Sequence, residues 1–357
     1  MKYNNIFIVG SPWHAILTLA ILQDHDAVII EYSSKSTLSA VKKCLCGNVK
    51  ILAEIEAKKF YLSTYFSLND FMKIFFLRNE IEKLKIYQQE LSCKNLNVFA
   101  PSSEVSKILA DSIDFDVLNK IEDGICDYMP FALLPSHSCL KKLLRKVLIS
   151  FLKLPYFYSN DFKLNFKSHY YFFPHLISSR NTSFSLLDQK EELINTLLKM
   201  GSDINVLPNY TFNKDCLLIG QTLFEDRSCS LDYELEIYRE VSKSFLKSKN
   251  SNVYFKPHPR SCSAKMERLK KYALENPKFI LLEGDFAVEI LMVKYKFKSI
   301  VGFWSNPIIL ARTLFDCESY TMIHQLLSSH SLPHLEKIHT VLSELFPSDY
   351  IDYRVNQ

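Results

Sequence analysis

Val253-Tyr254-Phe255-Lys256-Pro257-His258-Pro259-Arg260 is an apolar strand that stops abruptly at a basic, proline-locked tip. Its β-branched and aromatic start has the character of a buried strand, and the two prolines exclude helix on either side of His258. Lys256, His258 and Arg260 alternate, so in extended backbone they project to one side, where they could converge on an anion such as phosphate. A solvated turn with incidental charge is the competing reading.

Outward from that stretch, the second half of the chain repeats one grammar. A strand at 216–219 ends in Gly220-Gln221-Thr222, and a long amphipathic helix over 231–247 follows it. After the His258 strand come a helix at 264–274, a strand at 279–282 ending in Glu283-Gly284, and a helix from about 287 to 293 that contains Glu289. The strand 299–303 then runs through Gly302 into Trp304-Ser305-Asn306-Pro307, which opens a helix over 308–314. With Ser305 as cap and proline in the first turn, that helix would leave free N–H groups pointing outward, a cradle for phosphate. A plain capped helix is the alternative.

The first half reads the same way. Strand 6–9, the turn Gly10-Ser11-Pro12, a helix over 13–22, strand 28–32, a helix over 36–45 and strand 49–52 describe a parallel α/β sheet. A charged, periodic stretch at 66–90 predicts surface helices, and strand 96–100 precedes a helix at 103–110. The segment 116–121 leads into Glu122-Asp123-Gly124, adjacent carboxylates at a predicted strand end. Like charges that close push one pKa up and suit it to take a proton, while Asp-Gly is also a common surface-turn signal. Asp114-Phe115-Asp116 lies before a predicted strand rather than after one and is discounted as a metal site.

Composition narrows the class. The chain of 357 residues is long enough for two domains, with 48% hydrophobic residues and a formal net charge of +4, which gives no support for nucleic-acid binding. Nine cysteines without a framework indicate reduced thiols and a cytoplasmic protein, and the apolar run 15–22 is too short to span a bilayer. Only seven glycines occur, and five of them (Gly10, Gly124, Gly220, Gly284, Gly302) follow or end probable strands, where α/β proteins bind ligands. A basic, aromatic segment near 133–175, including Leu140-Lys141-Lys142-Leu143-Leu144-Arg145-Lys146-Val147-Leu148, could rest on an anionic membrane surface or pack between domains. Dinucleotide, P-loop and nucleophile-elbow motifs are absent from the sequence. The expected architecture is α/β with two Rossmann-like domains facing a central cleft. Their expected limits are 1–205 and 206–330, with a helix in 331–357 crossing back to the first.

Glu122-Asp123-Gly124, then Lys256-Pro257-His258-Pro259, then Gly302-Phe303-Trp304-Ser305-Asn306 resemble, in order and spacing class, bacterial sialyltransferases of the lipooligosaccharide sialyltransferase and polysialyltransferase families. The Ser11-Pro12-Trp13-His14 turn is also similar to theirs. The resemblance implies a GT-B, inverting transferase that takes a sialyl group from CMP-sialic acid and uses no cofactor or metal. It places the general base at Asp123, with Glu122 second, and His258 on the CMP phosphate. Ser305 and Asn306 at the helix start, with Lys256, Pro257, Gly220 and Gly302, would form the donor pocket; Asn306 stands where the family often has a second hydroxyl. Gln221 is expected against the donor, Glu289 near the CMP ribose, and Trp13 and His14 on the acceptor side. A glycan or glycolipid acceptor of lipooligosaccharide or capsule synthesis follows, with a cytoplasmic enzyme peripheral on the inner membrane. Rival readings are a transferase of another CMP-linked ulosonic acid (Kdo, legionaminic or pseudaminic acid), a nucleotide-sugar epimerase, and a non-catalytic scaffold.

Overall fold

The computed structural model describes residues 2–45, 49–60, 77, 79–85, 90–101, 103–128, 164–176, 182–202, 214–249, 251–284, 286–329, 336, 338–340, 342–343 and 351–352. By internal contacts the chain divides into two units. The first comprises residues 1–123 and 131–193, and the second comprises 124–130 and 194–357.

The first unit is built on β1 (Lys2–Val9), α1 (Pro12–Ile21), β2 (Ala27–Tyr32), α2 (Lys35–Leu45), β3 (Lys50–Glu56), β4 (Ser92–Val98), α3 (Glu104–Ser112) and β5 (Asp114–Ile121). Two short strands, β6 (Ser168–Tyr171) and β7 (Thr182–Ser185), complete a seven-stranded sheet in the order β3-β2-β1-β4-β5-β6-β7. All its pairings are parallel, with Ile6 opposite Ala27 on one side and Leu96 on the other. The strands are apolar because both faces are covered: Ala27, Val28, Ile29 and Ile30 are fully buried. α1 starts where Ser11 Oγ accepts the His14 N–H at 3.2 Å with Pro12 in the first turn, and α3 starts where Ser103 Oγ accepts the Val105 N–H at 3.1 Å.

The second unit contains most of α4 (Lys190–Met200), then β8 (Cys216–Ile219), α5 (Leu231–Lys249), β9 (Val253–Lys256), α6 (Ser263–Glu275), β10 (Phe279–Leu281), α7 (Val288–Tyr295), β11 (Ser299–Gly302), α8 (Asn306–Phe315), β12 (Glu318–Thr321) and α9 (Ile323–Ser329). A short β13 (Ile351–Asp352) closes a six-stranded parallel sheet in the order β10-β9-β8-β11-β12-β13. Its core gathers Leu217, Tyr254, Leu291, Ile300 and Ala311.

Both sheets reverse winding at one point, between β1 and β4 in the first and between β8 and β11 in the second. Ligands of such sheets bind beyond the carboxyl ends of strands at that reversal. Gly10 to His14, Gly220 to Thr222 and Gly302 to Ser305 all lie there.

Several expectations need adjustment. Residues 170–173, read as an aromatic arm, include the end of β6, and β7, β12 and β13 carry too few apolar residues to stand out as strands. Asp114 and Asp116 open β5 rather than preceding it, and Asp116 pairs with Lys2 at 2.9 Å. Among the described residues no group of three His, Cys, Asp or Glu side chains could hold a metal ion. Residues 351–352 supply β13 to the second sheet, pairing Tyr320 with Ile351. The surface helices predicted for 66–90, the basic stretch 140–148 and the helix expected at 335–346 fall wholly or largely outside the described residues. No described helix is long and apolar enough to cross a membrane.

Candidate active site

In the first unit, β5 ends at Ile121 and the next two residues point opposite ways. Glu122 is buried, and its Oε2 accepts the Phe172 N–H at 2.7 Å, so this carboxylate fastens the chain after β6. Asp123 has 46% of its side chain exposed, and its Oδ1 lies 2.5 Å from His14 Nε2. The His14 tautomer follows from its other nitrogen: Nδ1 accepts the Gly10 N–H at 3.0 Å, so the ring proton sits on Nε2 and is donated to Asp123. The imidazole is held flat against Phe99, centroids 4.4 Å apart and planes 9° apart. Desolvation pushes the Asp123 carboxyl up, but the attraction and hydrogen bond of His14, helped by Lys120, outweigh it and hold the group below its ordinary value of 3.8. Trp13 is buried and stacks on Phe172 at 6.2 Å.

Gly124 belongs to the second unit. Its φ of +142° lies where side chains are strained, and a Cβ there would run into the side chain of Asn306. This glycine answers a close approach.

In the second unit the expected basic convergence after β9 does not form. Lys256 turns inward: its Nζ donates to the Gly284 carbonyl at 2.5 Å and sits 4.2 Å from the centre of the Phe286 ring. Arg260 turns toward the loop after β8, donating to Thr222 Oγ1 at 3.2 Å and pairing with Asp226 at 3.6 Å. In His258, Nδ1 accepts the Arg260 N–H at 3.1 Å, which leaves the proton on Nε2. Desolvation, with Arg260 adding to it, pushes this imidazole down to about 4, so it is a neutral hydrogen-bond donor at neutral pH.

Ser305 occupies the N-cap position of α8 with Pro307 following, yet its side chain makes no capping bond. Its Oγ is buried without a partner among the described residues. A hydroxyl left unpaired at the start of a ten-residue helix stands beside outward N–H groups. Gly220 closes β8 where a Cβ would meet the Phe255 ring at 2.9 Å, and Gly302 ends β11 against Ile308. Glu289, in the first turn of α7, is buried, and burial pushes its carboxyl up to about 7.

The buried Glu289 sets a testable stability signature. A carboxyl whose folded-state pKa is raised from 4.5 to about 7 binds its proton more tightly in the folded chain, so folding loses stability as pH climbs between those values. Glu289→Gln is therefore expected to stabilise the protein at pH 8 by up to ~3 kcal/mol, with no gain near pH 4, as read by urea unfolding at both pH values.

Beneath these strand ends lies a group that sequence reasoning missed. Lys265 of α6 has a side chain 1% exposed, and all three of its protons are used: on Glu225 at 2.6 Å, Glu234 at 2.8 Å and the Gln221 carbonyl at 3.0 Å. Glu234 also takes the Tyr238 hydroxyl at 3.0 Å and the Phe224 N–H at 2.9 Å, while Tyr238 accepts the Gln221 N–H at 2.7 Å. Glu225 takes the Cys262 N–H at 2.8 Å. One lysine thus ties the loop after β8 to the loop that carries His258. Two charged residues on buried helix faces, Glu234 and Lys265, with Glu225 in the loop, are the sequence signal of it.

Two parallel α/β sheets, each reversing its winding once beside glycine-marked strand ends, have the architecture of the GT-B class. A model of the alpha-2,8-polysialyltransferase (POLYST) family matches residues 5–324, and the chain belongs to that family. Membership implies CMP-sialic acid as donor and a sialylated glycan as acceptor.

Among solved structures, the chain is similar to UDP-GlcNAc 2-epimerase from Methanocaldococcus jannaschii in complex with UDP-GlcNAc and UDP, at 14% identity and a TM-score of 0.50, covering 100% of this chain and 94% of that one. It is similar at the same TM-score of 0.50 to a putative UDP-N-acetylglucosamine 2-epimerase from Listeria monocytogenes, with 12% identity, 98% of this chain and 89% of that one covered. The S. aureus MnaA-UDP co-structure gives 12% identity and a TM-score of 0.50, covering 97% of this chain and 88% of that one. At these identities the likeness is one of fold. No curated protein matches the sequence.

Proposed function

We propose that the chain transfers a sialyl group from CMP-sialic acid, with inversion and without a metal ion, to a hydroxyl of a sialylated acceptor. The observation that carries this reading is the exposed Asp123 carboxylate, set by the Gly10-His14 relay, in a chain of the polysialyltransferase family. Asp123 takes the proton of the acceptor hydroxyl as it attacks the anomeric carbon. Glu122 is occupied by the Phe172 amide and serves the fold.

CMP leaves as a monophosphate, and protein donors suffice to stabilise the charge that develops on it. His258 Nε2–H, Ser305 Oγ and the first N–H groups of α8 are those donors, and Asn306 adds an amide beside them. Gln221, at the end of β8, meets the donor, and Glu289 accepts from the ribose hydroxyls. Lys256 and Pro257 shape the pocket floor, Lys256 through its hold on the Gly284 loop rather than by touching phosphate. Trp13 backs the acceptor side, and Gly220 and Gly302 let the donor approach backbone closely.

The deciding assay measures CMP release from CMP-N-acetylneuraminic acid in EDTA, with and without oligosialosides and galactosides. Release that depends on an oligosialoside supports a polymerising enzyme, and response to a galactoside alone points to a capping one. Turnover without any acceptor, or none with either although CMP binds, overturns the proposal.

His258 gives a separate readout. Its imidazole should titrate near 4 in the free protein, and CMP should raise that midpoint because the phosphate favours the charged ring. His258→Ala should weaken CMP binding by about 10- to 100-fold, the range of one charge-assisted hydrogen bond. A ring midpoint unmoved by CMP in a side-chain NMR titration would place His258 away from the phosphate.

A further inference from the structure

The first unit contains an open cavity of about 420 Å³, away from the groups assigned above, on one face of its sheet. Asparagines are poor strand residues, yet Asn5 of β1, Asn95 and Asn97 of β4 and Asn119 of β5 stand on this face in adjacent strands. Their hydrogen bonds form a chain with a fixed direction. Asp26, an acceptor only, takes the Asn5 N–H at 3.0 Å and Asn5 Nδ2 at 2.8 Å. The amide of Asn5 must therefore turn its oxygen away from Asp26, where it accepts from Asn95 Nδ2 at 3.0 Å and Asn97 Nδ2 at 3.4 Å. Asn97 Oδ1 in turn accepts from Asn119 Nδ2 at 3.0 Å.

The chain ends on Asn119 Oδ1, which is buried and has no donor among the described residues, in a side chain only 4% exposed. A carbonyl polarised by the amides behind it and left without a donor is a strong acceptor waiting for a ligand N–H or O–H. Beside the amides, on the next two strands β6 and β7, Tyr170 and Phe184 stack at 5.2 Å and 22°, and Phe184 is 44% exposed. Burial raises the Tyr170 pKa, so its hydroxyl keeps its proton. The described lining has no lysine or arginine, and its one charged side chain is Asp188.

We propose that this cavity binds an uncharged carbohydrate ring through hydroxyls on the amide chain and stacking on Phe184. Planar amides supply directional donors and acceptors, and an exposed aromatic face takes the apolar side of a sugar. The absence of a lysine or arginine from the described lining, together with the presence of Asp188, disfavours an acidic sugar. Ile121 lines the cavity two residues before Asp123, so the neutral ring would be held on the strand that carries the base. The site does not depend on the transfer reading, since it is tested by binding alone.

The full chain is titrated with lactose, maltose and sialyllactose, and saturation-transfer NMR and calorimetry follow binding. Phe184→Ala tests the ring face at a partly exposed position, and Asn119→Val removes the terminal acceptor at nearly constant volume. The expected result is saturable binding of a neutral disaccharide, weakened by about ten-fold or more (~1.4 kcal/mol) in each variant. CMP affinity and the melting temperature of Phe184→Ala should stay at the parent values. Failure of both neutral disaccharides to bind, affinity that Phe184→Ala leaves unchanged, or binding by the sialylated sugar only, would overturn the proposal.

Discussion

Asp123→Asn is expected to slow sialyl transfer by about 10²- to 10⁴-fold, the usual worth of a positioned general base, and to leave CMP affinity near the parent value. Asparagine keeps the shape and can still accept from His14 Nε2, so loss of rate would report the loss of a proton acceptor rather than of structure. Glu122→Gln is the matched control. Its amide oxygen can still receive the Phe172 N–H, and its expected effect is on stability, about 1 kcal/mol, with transfer retained. A kinetic outcome in which Glu122→Gln is inactive and Asp123→Asn turns over normally would exchange the two roles.

The pH profile adds a second, independent sign. Asp123 is held below its ordinary 3.8, so the ionised base is present throughout the neutral range and the acid limb of kcat/KM should fall below that value. His14→Phe removes the attraction and the hydrogen bond and leaves only Lys120 to oppose desolvation, so the acid limb should move to higher pH. A purely structural role for His14 would lower the rate without moving the limb.

Lys265→Met should cost about 3–5 kcal/mol of folding stability, because it leaves the fully buried Glu234 and the partly buried Glu225 without their cation. Against a total of about 5–15 kcal/mol for a typical domain, that is enough to lower the urea midpoint severely. The deficit should shrink in acid. Burial acts to raise the Glu225 carboxyl, but the Lys265 hydrogen bond and backbone N–H groups overcome it and hold the group below 4.5. The stability this supplies is present above 4.5 and lost as pH falls through the lowered folded value, so parent and variant converge there. Adding Glu234→Gln to Lys265→Met should restore part of the loss, since one buried charge then disappears. Equal stability of Lys265→Met and the parent protein at pH 7 would remove the network from any structural role.

The fold was legible because its central strands are long apolar runs bounded by glycine. Ile6-Phe7-Ile8-Val9 before Gly10 and Cys216-Leu217-Leu218-Ile219 before Gly220 are buried from both faces, and such strands announce themselves. The edge strands do not: Ser168-His169-Tyr170-Tyr171 and Thr182-Ser183-Phe184-Ser185 are half polar and became strands only by pairing with their neighbours. At the site, the positions of Asp123, His258 and Ser305 at strand ends could be read from local pattern. Their partners could not, because His14 and Asp123 are separated by 109 residues. Alternation placed Lys256 on one side of its strand correctly enough, but it carries no information about the Gly284 carbonyl and Phe286 ring that capture the ammonium. The four asparagines went unnoticed in the sequence, because only the register across β1, β4 and β5 makes them one group.

The parallel order of the strands also governs how the protein is made. In each sheet the strand at the winding reversal takes one neighbour from much later in the chain: β1 from residues 92–98, and β8 from residues 299–302. Such non-local pairings form slowly, since the intervening loop must close first. A ribosome-bound fragment that ends before residue 92 would therefore present the apolar edge of β1 unpaired to the cell's chaperones, and one that ends before residue 299 would do the same with β8. Two separate windows of aggregation risk during synthesis follow, each lasting until the later partner strand emerges, and slower elongation within either interval would widen them.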